Sequence, residues 1–130
     1  MINYIRNYRL GRSVRRYIYQ LGPALANRYG ASDQYTVLQI IKTAKTLKLK
    51  MDHAAYAVAL YRHEQSENSL AFFKLDQTAL DELRAIIAES LFNGWRHYTA
   101  RDVLNLSRSR GWRGGAAPNW RANRLGMTSL

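Results

Sequence analysis

Eleven arginines stand in two acid-free segments at the ends of this 130-residue chain. Arg6, Arg9, Arg12, Arg15, Arg16 and Arg28 fall within residues 1–31. Arg108, Arg110, Arg113, Arg121 and Arg124 fall within residues 108–130. Between them, residues 32–107 carry nine basic and nine acidic side chains, so the net charge of +11 belongs wholly to the ends. The guanidinium is planar, always charged and able to grip phosphate or carboxylate through two parallel hydrogen bonds. Charge segregated in this way points to an anionic partner. Trp112 beside Arg113, and Trp120 beside Arg121, offer aromatic planes on which bases could stack. These two tryptophans and all the terminal arginines except Arg28 form the candidate contact set. The competing reading is a solvated basic surface, or arginines answering Asp76, Asp81, Glu82 and Glu89 within the fold.

Other chemistry is sparse. The three histidines are His53, His63 and His97. His63-Glu64 with Glu67 has a spacing superficially like a metal site, but the second histidine of a metalloprotease helix is missing, so His63 reads as a surface residue. With no cysteine there is no thiolate nucleophile, disulfide or cysteine-based metal site. No glycine-rich phosphate loop and no nucleophile elbow is present. Asp81 and Glu82 are adjacent on a helix and point about 100° apart, so they cannot flank one substrate bond. The expectation is a non-enzymatic protein with no metal and no cofactor.

The elements that must position these residues are helical nearly throughout. Leu10, Val14, Tyr17, Ile18 and Leu21 form one apolar stripe with the arginines off it. Gly22-Pro23 reads as its end, with Pro23 opening a short helix that stops at Gly30. Thr36 and Gln39 have capping-box spacing ahead of a helix with Val37, Leu38, Ile41 and Ala44 on one face. Asp52 is placed to cap a helix over 53–63 that is apolar on nearly all sides and therefore belongs at the centre of a bundle. Residues 64–69 read as a polar loop, and 70–75 fit either an extended segment or part of a helix. Asp76 caps the next helix, whose core face is Leu80, Leu83, Ile87 and Leu91. Thr99 and Asp102 form a second capping box, and Gly111 is the expected stop of that helix. From Trp112 onward the periodicity is gone.

The fold expected is all-α, a compact bundle of about five helices over residues 1–111, followed by a basic, irregular tail over 112–130. One domain of this length can bury a core without covalent staples. No apolar run approaches the ~20 residues needed to span a bilayer. The N-terminal segment lacks the apolar stretch of a signal peptide, and the cysteine-free composition fits a reducing compartment, so a cytoplasmic location is expected. A helix-turn-helix would need polar side chains on the helix after Asp52, and that helix is Ala, Tyr, Val and Leu. Lys42, Lys45, Lys48 and Lys50 read as a solvated edge.

Arg28-Tyr29-Gly30, Tyr35-Thr36 with Gln39-Ile40, and Ala55-Tyr56-Ala57-Val58-Ala59-Leu60-Tyr61 together resemble small uncharacterised bacterial helical proteins, over roughly residues 21–65. The resemblance implies a bacterial source and a helical fold. It implies no activity and no functional residue. The residues themselves therefore carry the functional expectation: a small binding protein that uses its arginine-rich ends on an anionic partner, nucleic acid first and an acidic protein second. The alternative is a protein–protein or homo-oligomerising module whose tail docks through its aromatic and basic residues. A membrane partner is argued against by the short, tyrosine-containing stripe.

Overall fold

The structure, a computed structural model, describes residues 11–64 and 75–109. Every regular element among them is a helix, so the bundle is all-α as expected. The tail over 112–130, most of the 64–69 loop and the segment 70–74 lie outside the described residues. No helix among the described residues is long and apolar enough to cross a membrane.

The first part of the chain departs from expectation. Helix α1 (Arg12–Arg16) runs into a π-helical turn (Tyr17–Leu21) and then directly into α2 (Gly22–Tyr29). Gly22-Pro23 therefore does not end the element. The Gly22 N–H donates to the Tyr17 carbonyl five residues back, and the widened turn accommodates Pro23, which has no N–H to give to the turn before it. Val14, Tyr17, Ile18, Leu21 and Leu25 are buried along one side. Gly30 stops α2 as expected, in a backbone conformation (φ 85°) that side chains rarely adopt.

Helix α3 (Val37–Thr46) begins at the expected capping box: Thr36 Oγ1 accepts from the Gln39 N–H at 3.0 Å, and Gln39 Oε1 accepts from the Thr36 N–H at 3.0 Å. It ends in a Schellman turn, with Leu49 N–H on Ala44 O and Lys48 N–H on Lys45 O. Lys48 holds the left-handed position (φ 59°) where glycine is usual. Helix α4 (Ala54–Tyr61) is buried on nearly every side and occupies the middle of the bundle, packed on α3, on α5 (Gln77–Leu91) and on α6 (Ala100–Ser107). Asp52 does not cap it. His53 is the N-cap with no side-chain cap bond, and a turn from Met51 takes the Ala54 N–H instead. Burial of α4 also removes the helix-turn-helix reading, since this helix has no face to offer a groove.

Asp76 caps α5 through the Ala79 N–H at 2.8 Å. Thr99 and Asp102 make the second capping box, with the Thr99 N–H on Asp102 Oδ2 at 2.8 Å. Helix α6 ends at Ser107 rather than near Gly111, because Arg108 and Ser109 fold back onto Asn105 O and Leu106 O in a tighter turn.

Tyrosine hydroxyls tie these helices together. Tyr61 donates to Tyr17 O at 2.6 Å, Tyr98 to Ala59 O at 2.9 Å, Tyr35 to Gly30 O at 2.7 Å, and Tyr17 to Lys50 O. Each ring is buried while its polar end is satisfied by a carbonyl of another segment. Burial pushes the Tyr61 and Tyr98 hydroxyls well up, so both remain donors.

Candidate functional site

Of the candidate contact residues, Arg6, Arg9, Arg110, Trp112, Arg113, Trp120, Arg121 and Arg124 lie outside the described residues. The other four do not share one place. Arg12 and Arg16 stand one turn apart on α1 and therefore on one face. Together with Ser13, Tyr17, Leu49 and Lys50 they line a cleft of about 170 Å³. Its far wall is the segment after α3, held against α1 by the Tyr17 hydroxyl on the Lys50 carbonyl. That tie brings Lys50, read from sequence as part of a solvated edge, beside two arginines.

Among the described residues no carboxylate lines the cleft. The acid whose field reaches it is the exposed Asp52, which, after burial, helps to raise the Tyr17 hydroxyl above its ordinary value. Arg15 points elsewhere: it is half-buried, and its Nε has no hydrogen-bond partner among the described residues. Arg108 is the exposed C-cap of α6, and its charge acts on Tyr35 together with that of Arg101. Arg101 is itself paired with Asp33 at 2.9 Å. Arg28 reaches Thr43 and Thr46 on α3 at 3.5 Å each and lies over the Tyr29 ring.

A second constellation escaped the sequence reading. Arg84 is only 4% exposed. Its Nη1 donates to Ala59 O at 2.9 Å and Arg62 O at 3.4 Å, and its Nη2 to Arg96 O at 3.3 Å and to Tyr98 O. The guanidinium also lies over the Tyr98 ring, 3.8 Å from its centre, while that ring stacks on Phe92. The cation thus fastens α5 to the end of α4 and to the connection before α6. No carboxylate among the described residues is within ion-pair distance of it. Burial pulls its pKa down, against the fields of Tyr98, Asp81 and Asp102, yet an arginine remains charged. The signal was present in the sequence: Leu80, Arg84, Ile87 and Leu91 fall on one helical stripe, and Arg84 interrupts it.

Arg84, His63, Asp81, Arg96, His97, Tyr98 and Thr99 line a cavity of about 450 Å³. His63 is half-buried rather than a plain surface residue; burial first, then the Arg84 charge, lowers its pKa, with Arg62 adding to this and Glu64 and Asp33 opposing it. No group of three histidine or carboxylate side chains among the described residues is arranged to hold a metal ion.

The chain belongs to a family of unknown function, DUF6559, whose sequence profile matches residues 5–129. The match runs through both arginine-rich ends as well as the helical middle. No curated protein and no solved structure matches the chain.

Proposed function

We propose that this chain is a small non-enzymatic binding protein that takes the phosphate backbone of a nucleic acid at the Arg12–Arg16–Lys50 cleft. The observation that supports this reading is the convergence of three cations from two segments on one cleft, whose wall contains no acid among the described residues. Arginine pairs at helical spacing can each grip a phosphate, Lys50 adds a point charge, and Ser13 adds a hydroxyl donor. The acid-free ends of the sequence extend the same charge beyond the cleft. Recognition of this kind fixes the backbone and reads no base edges, so binding should be strong in its salt dependence and weak in its sequence preference. The cysteine-free composition suits a cytoplasmic setting, where such a partner is available.

The test is fluorescence anisotropy of the full chain with random-sequence single-stranded RNA and with duplex DNA, at about 50 and about 200 mM salt. An acidic polypeptide serves as the competing partner. Submicromolar binding to nucleic acid at the higher salt, with the polypeptide ignored, is the expected result. Equal binding to the polypeptide would transfer the reading to an acidic protein surface.

A further inference from the structure

The cavity around Arg84 is separate from the cleft and shares none of its residues. Its volume, about 450 Å³, falls in the range of small-molecule sites. Among the described residues its wall holds two permanent cations, Arg84 and Arg96, against one carboxylate, Asp81. Asp81 is already engaged, accepting from Gln77 Nε2 at 2.8 Å. Among the described residues the lining therefore holds one more permanent cation than carboxylate.

We propose that this cavity binds a small organic oxyanion, a carboxylate or a phosphate ester. The cations play different parts. The four Nη protons of Arg84 are directed at main-chain carbonyls, so this residue supplies a fixed, partly desolvated charge at the floor rather than donors. A charge held in low dielectric acts more strongly on an entering anion than an exposed one does. The donors come from the rim. Arg96 is exposed and has no ion pair among the described residues, and His97 stands beside it, its ring edge against Trp95 at 5.3 Å. Thr99 and His63 also line the cavity. A space of about 450 Å³ has room for a ligand larger than a bare inorganic ion, which favours an organic anion.

The full-length protein, labelled for histidine side-chain NMR, is titrated with succinate, with inorganic phosphate and with the neutral diamide of succinate, at constant pH and ionic strength. The expected result is saturable movement of the His63 and His97 signals with succinate, a weaker response to phosphate and none to the diamide. A stronger response to phosphate would assign the site to phosphate esters. In Arg96→Gln, an exposed change that leaves the Arg84 knot in place, the succinate affinity should fall about tenfold, the value of one charge-assisted hydrogen bond. The triple variant Arg12→Ala/Arg16→Ala/Lys50→Ala should bind succinate as the parent does, which separates this site from the nucleic-acid reading. Histidine signals that do not move, that move equally with the diamide, or that respond unchanged in a folded Arg96→Gln variant would overturn the proposal.

Discussion

Replacing Gly22 by alanine should destabilise the protein, against the usual sign for a helix. In an exposed helix interior, glycine to alanine gains about 0.5–1 kcal/mol because glycine loses more backbone freedom on folding. At Gly22 the added Cβ would lie 2.6 Å from the Tyr61 hydroxyl and 3.3 Å from the carbon that bears it. That hydroxyl cannot swing aside, since Tyr61 is fully buried and its proton is committed to Tyr17 O at 2.6 Å. Overpacking of this kind costs about 1–3 kcal/mol. Displacing the hydroxyl forfeits a further ~1 kcal/mol of hydrogen bond. The net expectation is a loss of about 1–3 kcal/mol, measured by urea unfolding of the parent and of Gly22→Ala. Tyr61→Phe alone should cost ~1 kcal/mol, because the Tyr17 carbonyl keeps its bond from the Gly22 N–H. Gly22→Ala placed in that background meets no hydroxyl, so its penalty should shrink by about 1 kcal/mol or more in the double-mutant cycle. A Gly22→Ala protein as stable as the parent or more so, or additive effects in the cycle, would refute the close-approach reasoning.

Further consequences can be checked in the same way. Arg84→Met removes charge-assisted hydrogen bonds to Ala59 O and Tyr98 O and the contact with the Tyr98 ring; part of this is offset because a buried charge is also removed, so a loss of about 2–4 kcal/mol by urea unfolding is expected. Lys48→Gly relieves a left-handed residue at the end of α3 and should stabilise by about 0.5–1 kcal/mol, whereas Lys48→Val should destabilise. His63 has a folded pKa below the ordinary 6.5, so the unfolded chain takes up the proton first as pH falls. Its contribution is therefore fully present above pH 6.5, declines as pH drops from there through the folded value, and should be absent from the stability–pH curve of His63→Gln.

What the sequence disclosed well were features set by neighbours along the chain. The Thr36/Gln39 and Thr99/Asp102 capping boxes and the Asp76 cap are satisfied within one turn, so their spacing alone was sufficient. The all-apolar run Ala54–Tyr61 could only be central, and it is. Features decided by contacts across the fold were not legible. Gly22 looks like a helix stop, yet it is a helical residue kept small for a tyrosine 39 positions away. Asp52 looks like a cap, and the turn from Met51 supplants it. Lys50 joins the basic cleft only because Tyr17 holds its carbonyl, a link across 33 residues. Arg84 could have been noticed as a cation on an apolar stripe, but its partners are carbonyls of two separate segments, and carbonyls leave no trace in a sequence pattern.

In the proposed function, Arg12, Arg16 and Lys50 act together on a phosphate backbone. Three phosphate contacts correspond to about 2–3 units in the slope of log affinity against log salt. The most direct measurement is that slope for single-stranded RNA, in the parent and in Arg12→Ala/Arg16→Ala/Lys50→Ala, all three being exposed positions whose loss leaves the core intact. A slope shallower by about 2 in the triple variant, with weaker binding to every sequence tried, is the predicted result. An unchanged slope would contradict the account.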